Sequence, residues 1–168
     1  MDRYIYLSGD IDEEKASIIN CGLLELQYAD PMEDITLIVD SYGGELNSAF
    51  SIMDMIDLIQ CDVRTVCIGK SFSAGAFLVI NGTRGKRFMT KNSSMMLHNP
   101  SAGVEGNVKD IELEVKEINL RKETLMGIVS NVSNLSFNEV KEMMDRNFYL
   151  DANAAISKGL VDGVLKSF

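Results

Sequence analysis

The order of apolar and amphipathic segments predicts an α/β fold built on a parallel sheet. Two observations carry that prediction. Ile35-Thr36-Leu37-Ile38-Val39 and the run from Val63 to Ile68 are almost wholly apolar, as strands are when helices cover both faces of their sheet. Each is followed by a stretch of helical period, so the first half of the chain reads β-α-β-α-β-α, which implies right-handed crossovers between parallel strands. Ligands of such sheets sit at the carboxyl ends of the strands, where two glycine-rich turns fall, 41–44 and 69–75. Both turns are expected to line one site.

Taken in order, Tyr4-Ile5-Tyr6-Leu7 reads as a strand ended by Ser8-Gly9. Asp10-Ile11-Asp12 then opens a helix with acids in its first turn and an apolar stripe of Ala16, Ile19, Leu23 and Leu26, broken by Pro31. After the strand at 35–39 and the turn Ser41-Tyr42-Gly43-Gly44, a helix from about Leu46 to Ile59 shows Leu46, Ala49, Phe50, Met53 and Ile56 on one side. The strand at 63–68 leads into a third helix that ends near Asn81-Gly82. Gly85 to Met89 and Ser94 to Leu97 are short strands, and the second delivers His98-Asn99-Pro100 into a loop. Residues 101–107 are flexible in composition. A long helix from about Val108 to Val129 follows, with Ile111, Val115, Ile118, Leu125 and Val129 as its stripe and Glu112–Lys116 and Glu117–Arg121 as i,i+4 pairs. It is too long for a chain of this size unless it projects or packs on a partner. Ser136 and Glu139 form a capping box for a helix carrying Phe137, Val140, Met143 and Met144. Phe148-Tyr149-Leu150 is a short strand, Asp151 caps a helix ended by Gly159, and Val161 to Leu165 closes the chain.

Composition narrows the function classes. The 168 residues, 46% hydrophobic and 24% charged, are those of a globular chain, and one domain over 1–168 is expected. A net charge of −9 argues against nucleic acid or an anionic membrane as partner, since both want a basic patch. No apolar run has membrane-spanning length, and Asp2-Arg3 leads straight into a strand without a signal peptide; a cytoplasmic location is expected. Cys21, Cys61 and Cys67 lack metal-ligand spacing and lie in apolar contexts, so they are expected reduced and buried. With His98 the only histidine, no metal site is expected, and no cofactor either.

Gly69-Lys70-Ser71-Phe72-Ser73-Ala74-Gly75-Ala76 is the stretch that points to chemistry. A serine at a strand-to-helix junction has its hydroxyl fixed by the turn, beside free N–H groups that favour a developing negative charge. A phosphate loop ending in Gly69-Lys70-Ser71 is excluded, because Arg64 stands where that motif needs glycine. Ser73, His98 and Asn147 fall in three different turns. A nucleophilic serine needs a base for its proton, and the base needs an acceptor on its other nitrogen. By residue type alone, His98 reads equally as a satisfied histidine at a strand end, and Asn147 as a turn residue.

Several motifs resemble, over essentially the whole chain, the proteolytic subunit of the Clp protease, the ATP-dependent caseinolytic serine peptidase. They are Asp40-Ser41-Tyr42-Gly43-Gly44 for the family's Ser-Pro-Gly-Gly turn and Ser71 to Ala76 for its Ala-Ala-Ser-Met-Gly-Ala. Gly85-Lys86-Arg87, Met96 to Pro100, Asp110-Ile111-Glu112 and Ala155 to Asp162 add to them. The resemblance implies a ClpP/crotonase-like fold with a protruding handle, about 100–130, that interleaves between two heptameric rings in a tetradecamer with the active sites inside. It implies Ser73 as nucleophile, His98 as general base and then acid, and the N–H groups of Gly44 and Ala74 as oxyanion hole. It also implies Asp145-Arg146 as a ring–ring contact and an AAA+ unfoldase partner that would use the ATP.

The chain departs from the family in three places. Asn147 replaces the usual triad aspartate; its carbonyl can accept from His98 but carries no charge, so a slow or conditional peptidase is expected. Some members carry Asn at this position. The sequence starts at its first strand, so axial loops like the family's are not expected from it, and Thr36, Ile38 and Leu58 stand where the unfoldase pocket is usually aromatic. Three alternatives stay open: a structural ring subunit assembling with an active paralogue, a virus-encoded capsid-maturation protease, and an acyl-CoA-handling relative that uses the two turns to polarise a thioester.

Overall fold

The structure, a computed structural model, describes residues 3–101 and 103–168; Asp2, cited above for the leader, and Ala102, within the loop at 101–107, lie outside them. The first half of the chain alternates as expected: β1 (Tyr4–Ile11), α1 (Glu13–Ala29), β2 (Ile35–Gly44), α2 (Leu46–Leu58), β3 (Val63–Phe72), α3 (Ala74–Ile80). Then come β4 (Arg87–Met89), β5 (Ser94–Leu97), α4 (Val108–Val132), α5 (Phe137–Met143), β6 (Phe148–Leu150), α6 (Ala152–Ser157) and β7 (Gly163–Val164). Strands β1-β2-β3-β4-β7 lie side by side and all run parallel.

The sheet forks at β3. Its first half, Thr65 to Cys67, pairs with β4, and its last residues, Lys70 to Phe72, pair with β5. Among the described residues only β6 runs antiparallel, on the outer side of β5. The fork matters for function because it brings the carboxyl ends of β2, β3 and β5 to one corner.

Burial follows the apolar pattern. Ala16, Ile19, Leu23 and Leu26 of α1 are all buried, and so are Ala49, Met53 and Ile56 of α2, with Ile52 added and Leu46 and Phe50 only half-buried. Every residue of α3 is buried, which suits a helix without a polar face. One buried cation was not foreseen. Arg3, 7% exposed, donates to the carbonyls of Leu26 (2.7 Å), Asp30 (2.8 Å), Glu33 (2.7 Å) and Asp34 (3.1 Å), tying the end of α1 and the connection to β2 onto the start of β1.

Several expectations need correction. The strands run further than their apolar runs: β1 continues through Asp10-Ile11, so α1 starts at Glu13 with Asp12 as its cap. Ser41 to Gly44 and Gly69 to Phe72 are irregular ends of β2 and β3 rather than turns between elements: after a register shift in each ladder, Ser41 pairs with Ser71, and Asp10 and Ile11 pair with Gly43 and Gly44. Cys21 lies exposed on the outer side of α1, whereas Cys61 and Cys67 are buried; all three thiols are free. In α4, Leu125 and Val129 are buried together with Met126, but Val115 is exposed and Ile111 and Ile118 are only partly covered. The first half of this helix, about 37 Å long over its 25 residues, stands clear of the body. The Glu117–Arg121 pair forms at 2.7 Å, while Glu112 and Lys116 form no ion pair among the described residues. No helix among those residues is long and apolar enough to cross a membrane.

Candidate active site

Ser73 stands between β3 and α3 with φ 52° and ψ −123°, the one residue other than glycine with positive φ among the described residues. Such a conformation is strained for a residue with a Cβ, and it is held here by both neighbours. The Ser73 N–H donates to Met96 O at 2.8 Å, which ties the turn to β5, and Ser73 O accepts from Ala76 and Phe77. A serine before a helix ordinarily turns its hydroxyl onto the helix's own free N–H groups. The Ser73 hydroxyl makes no such cap; its Oγ lies 2.8 Å from His98 Nε2.

His98 is the first residue past β5. The parallel register Phe72↔Met96 brings the end of β5 level with the end of β3, and the half-buried imidazole reaches the serine across that gap. For Nε2 to accept from Oγ, the other ring nitrogen, Nδ1, must carry the ring proton. Among the described residues nothing accepts that proton. Asn147 is exposed and forms no hydrogen bond with His98. Its backbone position is nonetheless suggestive. The antiparallel ladder Met95↔Leu150, Met96↔Tyr149 and Leu97↔Phe148 ends there; its register extended by one step would set His98 opposite Asn147. Beyond them the Asn99 N–H donates to Met144 O at 2.9 Å.

The end of β2 forms the other wall. Gly43 (φ 105°) and Gly44 (φ 155°) adopt conformations that favour glycine, and neither has room for a side chain. A Cβ on Gly43 would lie 2.8 Å from Phe72 O, 2.9 Å from Ser73 Cβ and 3.0 Å from Ala74 N; one on Gly44 would lie 2.1 Å from Ile11 O. The fully buried Ser41 hydroxyl fixes this segment, donating to Gly9 O (2.5 Å) and accepting from the Gly43 N–H (2.9 Å). Ile11 O takes the Glu45 N–H, so in a parallel ladder the Gly44 N–H faces away from β1. Ala74, first residue of α3, has no acceptor for its N–H among the described residues.

Ser73, His98, Gly44 and Ala74 together line a cavity of about 290 Å³, with Leu46, Phe77, Met96 and Leu125 among its apolar walls. Asn147 is not part of its lining. Asp145 and Arg146 are exposed in the turn after α5, and neither enters an ion pair among the described residues. A larger hollow of about 450 Å³ lies between α2, α3 and α4; it holds Asp57, whose carboxyl is pushed up by burial, and Cys61, but no nucleophile–base pair.

The arrangement pairs a hydroxyl with a base and sets two N–H groups on the same cavity, which suits attack on a carbonyl followed by stabilisation of the oxyanion. Sequence reasoning placed the segments 41–44 and 69–75 at the site but gave Ser41, Gly43 and Phe72 no individual role there. Only the crowding of small residues around Gly43 hinted at a close backbone approach. A model of the Clp protease family matches residues 1–168 of the chain.

Proposed function

The chain belongs to the Clp protease family, its parallel-sheet α/β architecture fits the ClpP/crotonase-like fold, and we propose that it is a serine endopeptidase subunit acting on peptide bonds inside a ring assembly. The observation that carries the proposal is the 2.8 Å contact of Ser73 Oγ with His98 Nε2, made by a strained serine that gives up its own helix cap. Ser73 Oγ attacks the scissile carbonyl carbon while His98 Nε2 takes its proton. The carbonyl oxygen gains the negative charge and is met by the N–H groups of Gly44 and Ala74. His98 then returns the proton to the leaving amine as the C–N bond breaks, and water hydrolyses the acyl-serine by the same steps in reverse.

Asn147 orients His98 in this scheme by accepting from Nδ1–H through its side-chain carbonyl. Assembly supplies what a single chain lacks: the first half of α4 exposes Val108, Leu113, Val115 and Leu120, an apolar surface that would be covered where handles from two rings interleave. Asp145 and Arg146, exposed beside Asn147, are placed in the same ring–ring contact. Partners are further copies of the chain in heptameric rings and a tetradecamer, a paralogous subunit or an AAA+ unfoldase, with protein segments as substrate.

The exposed, unbonded state of Asn147 also favours a second reading, a ring subunit that is structural or weakly active beside an active paralogue. Incubating size-fractionated particles with an unstructured protein, and sequencing products by mass spectrometry beside Ser73→Ala, separates the two. Internal cleavage lost in the variant supports the peptidase; intact substrate with assembled wild-type particles supports the structural subunit.

A further inference from the structure

A row of aromatic rings crosses the corner where the candidate site is built. Tyr42 of β2 meets Phe72 of β3 edge-on, with centroids 5.7 Å apart and planes at 66°. Phe72 meets Tyr149 of β6 in the same way, at 5.5 Å and 82°. Both separations fall in the range that favours aromatic pairs, with the positive edge of one ring directed at the negative face of the next. Lys70 extends the row: its Nζ lies 4.4 Å from the centre of the Tyr42 ring and is itself held by Asp40 at 2.9 Å.

Each ring belongs to a strand end that carries a site residue. Tyr42 directly precedes Gly43-Gly44, Phe72 directly precedes Ser73, and Tyr149 lies two residues after Asn147. Tyr42 and Tyr149 are 67% and 60% exposed, so burial does little to place them; the half-buried Phe72 between them is what they share. Strand β6 has only three residues, and its ladder with β5 stops at Phe148, one step short of Asn147. That ladder ties β6 to β5, and the Phe72–Tyr149 contact reaches across β5 to the nucleophile's own strand.

We propose that Phe72 is a positioning residue: through Tyr42 and Tyr149 it ties the ends of β2, β3 and β6 into one unit and so sets Asn147 opposite His98. The tie itself is a property of the fold; its kinetic consequence rests on the peptidase function proposed above. The ring acts on the third position of the site, without touching substrate. Its loss therefore lowers turnover rather than substrate binding.

Hydrogen–deuterium exchange of the segments 41–46, 73–77 and 147–150, with kcat and KM for a fluorogenic peptide, tests this in the full chain in its purified assembly. Phe72→Ala is expected to speed exchange at 147–150 and to lower kcat about tenfold or more at nearly constant KM, the scale on which small misplacements act. Phe72→Tyr, which keeps the ring, is expected to restore both. Tyr149→Leu removes the same contact from the exposed end, is expected to speed exchange at 147–150 and lower kcat in the same way, and carries the test alone if Phe72→Ala fails to fold. Unchanged exchange at 147–150 in the alanine or leucine variant, or a loss that Phe72→Tyr does not rescue, overturns the inference. Wild-type particles that cleave nothing would contradict the peptidase function instead, and the exchange data would still decide whether the tie exists.

Discussion

The two halves of the candidate site are held in different ways. Ser73 and His98 sit at the ends of β3 and β5, neighbours in a mostly parallel sheet whose register extends into a buried core, and their side chains meet at 2.8 Å. Asn147 lies one step past a three-residue ladder, exposed, outside the cavity lining and without a bond to His98. The first half is specified by packing within one chain. The second is left to weaker contacts and, in our proposal, to neighbouring copies. A site divided this way can be complete in its nucleophile and base yet wait for assembly to fix its third member.

The largest effect is expected away from the cavity, at the buried ion pair that holds the C-terminal part of the chain to the sheet. Arg87, 2% exposed, donates to Val132 O (2.9 Å) and Gly159 O (3.1 Å) and pairs with Asp162 at 2.8 Å, pinning α4 and the C-terminal segment to β4. Arg87→Ala leaves a carboxylate unpaired in a largely covered place and is expected to cost about 3–5 kcal/mol, read as a fall in the denaturation midpoint. Burial pushes the Asp162 carboxyl up, but the Arg87 side chain and the N–H groups of Arg87 and Gly85 outweigh it and hold it below the usual range. Because its folded pKa lies below the unfolded one, its contribution is complete above about pH 4 and is lost as pH falls through the folded value. Asp162→Asn is therefore expected to flatten the acid limb of the stability profile between those two pKa values.

Gly43→Ala attacks the first half alone. Its Cβ would collide with Phe72 O and Ser73 Cβ, so turnover is expected to fall about 10²–10³-fold, the scale of a lost oxyanion donor, with thermal stability changed less. Asn147→Asp sharpens the second half. A charged acceptor stabilises the imidazolium, and kcat is expected to rise about tenfold or more in assembled particles; the reverse change in a trypsin-type triad costs about 10⁴. No rise would detach Asn147 from the site. Glu117→Gln, on the exposed stretch of α4, removes its pair with Arg121 and is expected to cost the folded chain about 0.3–0.5 kcal/mol, read as a small fall in the denaturation midpoint.

The same division governs what the sequence revealed. The alternation of elements, the stripe of α1, the capping box at Ser136 and the serine at the strand-to-helix junction were readable because each is set by local pattern or local hydrogen bonding. The full lengths of β1, β2 and β3 were not. Their last residues are glycine, serine and aspartate, which read as turns until parallel partners satisfy their backbone groups. Arg3 was missed because a cation is ordinarily exposed, and only the folded chain brings four carbonyls to it. Val115 was assigned to an apolar stripe that exists as a pattern, but periodicity does not say what covers a helix face. Phe72 sat between two serines with nothing local to mark it; its partners lie on strands 30 and 77 residues away in the chain.

The most direct test is intact-mass labelling of size-fractionated particles with a fluorophosphonate, beside Ser73→Ala. An activated Ser73 predicts one covalent adduct per chain in the wild type and none in the variant. Assembled wild-type particles that take up no label, or a variant that labels equally, would contradict a nucleophile made by the Ser73–His98 contact.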